Sequence, residues 1–159
     1  MEFVQKAITL EENTIITKDY NEEIIVPKNK TLVIDGFTNR LITNLGGTVI
    51  VNGTCLRINN IGGTVIINDN GYVNSLFGMC ASCENKINGF VYELILRDNT
   101  KNTLNTNSMV KNVCNQDSSI TMLGHAHIDH YIQHGDLATI SIDKDSAILN
   151  REIKKGLFY

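Results

Sequence analysis

Thr31-Leu32-Val33-Ile34-Asp35-Gly36, Thr48-Val49-Ile50-Val51-Asn52-Gly53 and Thr64-Val65-Ile66-Ile67-Asn68-Asp69 are three versions of one six-residue pattern. The steps between their leading threonines are nearly equal, seventeen positions and then sixteen. Thr14-Ile15-Ile16-Thr17-Lys18-Asp19 lies a further seventeen positions before the first. A second track runs beside it. Leu45-Gly46-Gly47, Ile61-Gly62-Gly63 and Phe77-Gly78 recur at an even step of sixteen positions, and Ile42/Ile58 and Asn44/Asn60 keep that step. Each unit therefore holds two short apolar stretches and two corners. That is too short for a repeat containing a helix, and repeats at fixed period must be read before any other feature.

One coil of a β-solenoid fits the unit. Each coil climbs one strand spacing, about 4.8 Å, and each strand pairs in parallel with its copies above and below. Matched residues then stack. Asn44 over Asn60 and Asn52 over Asn68 are expected to form side-chain amide ladders, as in stacked-strand assemblies. Glycine permits the corner conformations and close approach of neighbouring coils. The single proline among 159 residues suits strands paired along their whole length. An antiparallel sandwich is the rival, since short strands with frequent turns also predict it. The near-constant period and the position-matched residues favour the solenoid.

The reading is thus an all-β chain forming one domain over 1–159, a short parallel β-solenoid (β-helix) with coils of 16–17 residues. The expected hand is right, as for parallel crossovers. Regular coils run over about 14–78. Residues 79–159 read as irregular, with 79–90 breaking the pattern and 98–118 as a polar loop or irregular turn. Strand-like runs return at 93–97, 120–132, 139–142 and 147–149. Open solenoid ends need covering, and a helix near either end is one way to cap them.

The central residue of each apolar triplet bears on function. If its neighbours face the core, Val33, Ile50 and Ile66 stack on the outer wall. Such a stripe is either covered by the chain's own C-terminal half or offered to a protein partner or a second subunit.

All four histidines fall in Gly124-His125-Ala126-His127-Ile128-Asp129-His130-Tyr131-Ile132-Gln133-His134. At period two, residues 120–132 read as one half-buried strand with His125, His127 and Asp129 outward. The segment resembles the H-x-H-x-D-H motif of metallo-β-lactamase-fold hydrolases. That resemblance implies His125, His127, Asp129 and His130 as metal ligands, with Asp129 orienting the attacking water. It covers about seven residues, and His134 is the only histidine downstream to supply the rest of the family's ligands. His125-Ala126-His127 is also similar to the H-x-H pairs of trimeric phage spike proteins. There, three chains would give six imidazoles to one ion on a threefold axis, which suits iron or nickel.

The cysteines are Cys55, Cys80, Cys83 and Cys114. A zinc reading of Cys80-Ala81-Ser82-Cys83 needs two more ligands, and a thioredoxin-like reading needs a βαβ context. Neither is in the sequence, so the expectation is free thiols in a reducing compartment. MEFVQKAITLEEN has no basic region leading into an apolar core, and no window approaches a membrane span, so a cytoplasmic protein is expected. A net charge of −3 argues against nucleic acid as partner.

No phosphate loop, nucleophile elbow or dinucleotide fingerprint is present. The expectation is therefore a non-enzymatic protein-binding module with no cofactor. Small acidic proteins without a catalytic constellation are often inhibitors, such as phage anti-defence or toxin-immunity proteins. The apolar tail Leu157-Phe158-Tyr159 supports that view. The alternatives are a trimeric phage or surface structural protein with iron or nickel on its axis, and a metal-dependent hydrolase using an ion such as zinc.

Overall fold

A computed structural model describes residues 6–155. They form no helix; every regular element is a strand, and the strands of both sheets pair in parallel. The chain is a β-solenoid. Each coil contributes one short and one long strand. The short strands Thr14–Ile16, Thr31–Ile34, Thr48–Val51, Thr64–Ile67, Glu84–Ile87, Lys101–Leu104, Ser119–Met122 and Thr139–Ile142 stack in that order as one eight-stranded sheet. The long strands Phe37–Asn44, Thr54–Asn60, Tyr72–Gly78, Phe90–Leu96, Met109–Asn115, His127–His134 and Ala147–Lys154 stack as the other. Ile8–Thr9 and Ile24–Val26 continue that second sheet toward the N-terminus, and Asp19–Tyr20 pairs with Phe37–Thr38.

The core is built from columns of aliphatic residues. Ile24, Ile42, Ile58, Leu76, Leu94 and Val113 lie one above another and are buried. Leu32, Val49 and Val65 form a second column, and Ile34, Val51, Ile67, Ile87, Leu104 and Met122 a third. β-Branched side chains suit this stacking because they fill a pleated surface with little rotamer freedom to lose.

The central long strands bend. In Thr54–Asn60, Leu56 and Arg57 both face outward, between buried Cys55 and Ile58. The same doubled outward step recurs in the next three long strands. Two successive outward residues break the period of two, so the strand must turn a corner there. The Gly-Gly corners answer a different constraint. A Cβ on Gly63 would lie 2.1 Å from the Gly47 carbonyl oxygen, and one on Gly47 would lie 2.4 Å from that of Lys30. Glycine lets successive coils touch backbone to backbone.

Inside the coil runs a chain of side-chain amides. Asn44 Nδ2 donates to Asn60 Oδ1 at 3.2 Å, Asn60 Nδ2 to Asn85 Oδ1 at 2.9 Å, and Asn85 Nδ2 to Asn102 Oδ1 at 2.8 Å. All four are buried. Backbone groups are tied in as well; Asn60, for example, donates to the Gly63 carbonyl and accepts from the Gly63 amide. An outer ladder runs parallel to it, from Asn68 to Asn52 at 2.6 Å and from Asn52 to Asp35 at 2.7 Å. Both asparagine stacks expected from the repeat are therefore present.

The C-terminal half departs from the sequence reading. Residues 101–104 and 109–115 are paired strands, not a polar loop, and 84–87 is a strand within the supposed break. The amide chain explains the misreading. It crosses from the long strands (Asn44, Asn60) to the short ones, so Asn85 and Asn102 occupy the column that Val49 and Val65 fill earlier. An inward asparagine erases the apolar alternation although the coil is intact. Coil length also varies, with register partners such as Thr64 and Glu84 further apart in sequence than Thr48 and Thr64. At the other end Thr14 pairs with Leu32 rather than Thr31, a slip of one position from the sequence alignment. The capping helix is absent from the described residues, and Leu157-Phe158-Tyr159 lies outside them.

Asn60→Ala tests the amide chain. It leaves the Asn44 and Asn85 amides short of partners in the core, and unpaired buried polar groups cost about 1–3 kcal/mol each. We expect a loss on the order of 3 kcal/mol in urea unfolding with the strand signature retained. Asn52→Ala, in the exposed ladder, should cost less than about 1 kcal/mol.

Candidate functional site: an aromatic outer face

The stripe inferred from the sequence is real in register. Val33, Ile50 and Ile66 are direct neighbours on the outer side of the short-strand sheet. Ile15 extends it at one end and Lys86 stops it at the other. The described part of the C-terminal half does not cover it, because that half continues the coil instead of folding back. The three residues are half-buried within their own sheet.

The long-strand sheet carries a larger surface that the sequence reading missed. The first position of successive long strands is Phe37, Thr54, Tyr72, Phe90, Met109 and His127, all in one register column facing outward. Two positions on, before the bend, the outward residues include Leu56 and Tyr92. The Tyr72 and Phe90 rings stack with centroids 5.2 Å apart and planes 8° from parallel. Phe37, Leu56, Tyr92 and Met109 are each 38–46% exposed. Of the seven aromatic residues described, four stand on this face, while Tyr131 alone is buried in the core. Phe77 also faces outward, on a different column, but Arg57 lies over its ring at 4.6 Å.

The signal for this face was present in the sequence. Tyr72 and Phe90 are eighteen positions apart, and so are Met109 and His127. A search fixed on a period of 16 or 17 does not see it.

A charged cluster bounds the face beyond Met109. The Asp129 carboxylate accepts from the Lys111 ammonium and lies 2.8 Å from His127 Nε2. The Lys111 hydrogen bond, helped by His127, holds the Asp129 carboxyl below its ordinary value, and Asp129 in turn raises the Lys111 ammonium. The cluster lies outside the core, yet Asp129 is largely covered by its two partners.

The histidine segment is not one strand. Ser119–Met122 belongs to one sheet and His127–His134 to the other, with a corner between. Gly124 and His125 both take positive φ there, 61° and 68°. Histidine is among the residues that tolerate this conformation. Asp143 Oδ2 accepts from the Gly124 amide, and Ser146 Oγ from the Ala126 amide, so the following coil fixes the corner. The alternation of period two survived the corner by coincidence and misled the reading. His125 is exposed in the turn, so His125 and His127 do not share a strand face as the threefold-axis metal reading required. His130 is exposed beyond the bend, and the same bend turns Tyr131 inward and Ile132 outward, the reverse of the expected phase. Among the described residues, no group of three or more His, Cys, Asp and Glu side chains is placed to hold a metal ion. The αββα sandwich implied by the hydrolase resemblance is not the fold of this chain.

The chain matches no family model, no curated protein and no solved structure at a significant level. No helix among the described residues is long and apolar enough to cross a membrane.

The lowered Asp129 carboxyl makes a pH prediction. A carboxylate whose value falls on folding contributes stability above its unfolded range, near pH 4, and loses that contribution as pH drops through the lowered value. Thermal unfolding of the native chain should therefore weaken as pH falls below about 4. Asp129→Asn should be less stable at neutral pH and show a shallower acid decline. An acid limb identical to that of the native chain would remove the cluster from the account.

Proposed function

We propose that this chain is a non-enzymatic protein-binding module whose contact surface is the aromatic face centred on Tyr72 and Phe90. The carrying observation is the placement of four aromatic side chains outside a core whose apolar residues, Tyr131 apart, are not aromatic. Burial would reward those rings more than any other side chain in the protein, since each removes a large apolar area from water. Their exposure on one side is what a partner would use. Tyrosine, phenylalanine and methionine are enriched at the centres of protein interfaces, and polar and charged groups form the rims. Here Lys111, Asp129 and His127 supply such a rim.

The rigid coil favours this use. Side chains held by a parallel ladder lose little further freedom on binding, which limits the entropic cost of association. The Val33–Ile50–Ile66 stripe is the weaker candidate. It is narrower and has no aromatic residue. The occupant of the aromatic face is a protein partner or a second copy of the chain. The net charge of −3 disfavours a polyanionic partner such as nucleic acid. Four cysteines, none in a disulfide, fit a reducing cytoplasm. In that setting we place the module among intracellular inhibitors of the phage anti-defence or immunity kind.

The test is partner capture by immobilised protein, with Tyr72→Lys/Phe90→Lys set against Ile50→Lys/Ile66→Lys. We expect the first pair to weaken capture about 30-fold or more, the scale of losing interface hot spots. The strand signature should be unchanged and the second pair should bind normally. Sedimentation of the same variants identifies a self-association. Capture indifferent to the aromatic pair would overturn the assignment of the face.

A further inference from the structure

The coil between Tyr72–Gly78 and Glu84–Ile87 makes its corner with Cys80-Ala81-Ser82-Cys83. The Cys83 amide donates to the Cys80 carbonyl at 2.9 Å, closing a β-turn. That turn brings the two sulfurs to 3.2 Å. A disulfide needs about 2.05 Å between sulfurs and Cα atoms about 4.4–6.8 Å apart. A β-turn holds its end Cα atoms within about 7 Å. Closing the bond is therefore a movement of about 1 Å by the sulfurs, without rebuilding the backbone.

The two thiols are unequal. Cys80 is partly exposed and Cys83 is buried. Cys83 Sγ donates to the Asn60 carbonyl at 3.0 Å, and the Ser82 hydroxyl lies 2.9 Å from Cys80 Sγ. Burial raises the Cys80 thiol, but hydrogen bonds from Ser82 and Cys83 outweigh it and hold Cys80 below its ordinary value. Burial, with the Cys80 contact, pushes the Cys83 thiol up to about 12. One sulfur is thus more accessible and more easily ionised than the other, which is shielded and poised behind it. This is the division between an attacking and a resolving thiol. A zinc site would need four ligands, and no third or fourth ligand from the described residues joins the pair.

We propose that Cys80 and Cys83 form a reversible redox site, oxidised to an intramolecular disulfide by a low-molecular-weight disulfide such as glutathione disulfide. The Cys80 thiolate attacks one sulfur of the oxidant, forming a mixed disulfide and releasing one thiolate, which takes up a proton. Cys83 then gives up its proton and attacks Cys80 Sγ, releasing the second small thiol. Two protein thiols and one small disulfide become one protein disulfide and two small thiols, a two-electron exchange.

The coil is built to survive the change. Oxidation removes the Cys83 donor from the Asn60 carbonyl, but the Met79 amide still donates to that oxygen at 3.0 Å. Cys55 is buried in the core, and burial pushes its thiol up to about 11. Burial raises Cys114 as well. The close approach of two sulfurs belongs to Cys80 and Cys83, so reaction should concentrate at the corner.

The experiment treats the reduced full-length chain with glutathione disulfide, then alkylates free thiols and maps them by peptide mass. The expected product loses two hydrogens, carries one Cys80–Cys83 bond within one chain, and keeps Cys55 and Cys114 alkylatable. Cys83→Ser should trap one glutathione on Cys80, and Cys80→Ser should leave Cys83 at least tenfold slower to react. Disulfides between chains, equal reactivity of the two single variants, or a pair that stays reduced would each overturn the site. So would a zinc ion shared by two chains, seen as half an ion per chain.

Discussion

The buried amide chain from Asn44 through Asn60 and Asn85 to Asn102 is the constraint on which the rest of the solenoid depends. Parallel strands can slip along one another, and an aliphatic column resists slippage only through shape. An amide inside a hydrocarbon core is stricter. It must meet its partner above and its partner below, or remain unpaired where pairing is obligatory. The chain of four fixes the vertical alignment of four successive coils. It also ties the two sheets together, because Asn60 belongs to a long strand and Asn85 to a short one. The columns of Ile, Leu and Val then pack in a register already set.

That arrangement explains how the sequence could be read and where it could not. Thr48-Val49-Ile50-Val51-Asn52-Gly53 announces a coil because its inward residues are aliphatic and its corner is Asn-Gly. Glu84-Asn85-Lys86-Ile87 has the same backbone and the same place in the stack, but its one distinguishing inward residue is polar. Hydrophobic periodicity reports burial only where burial is apolar, and here the solenoid's internal hydrogen-bonding element is what conceals its second half. The histidine segment failed for the opposite reason. Residues 120–128 alternate cleanly, yet four of them form a corner whose conformation rests on Gly124, His125 and the Asp143 carboxylate of the next coil. A single sequence does not display a contact between residues that far apart.

The aromatic face has a related cause. The columns follow the register of the coils, and coil length drifts through the molecule, from the Thr31-to-Thr48 step to the longer Thr64-to-Glu84 step. Insertions are absorbed at the corners, such as Met79–Cys83, so the outward columns stay aligned in space while their sequence spacing wanders. The exposed surface is more regular than the chain that makes it. A surface of this kind separates two tasks that compete in most small domains. Inward positions keep the fold, outward positions are released from that duty, and the doubled outward step in the central long strands gives those coils an extra outward side chain.

Among the described residues no strand returns across the stack, and this has a further consequence. Each coil touches the one before it and the one after it, and every ladder joins residues roughly one coil apart in sequence. Length is therefore not built into the architecture. A coil could be gained or lost by duplication or deletion in the interior with the remaining neighbours simply rejoined, as in other stacked-repeat proteins. The drift in coil length and the switch from valine to asparagine and back to isoleucine along one column read, in that light, as the divergence of units that were once more nearly alike.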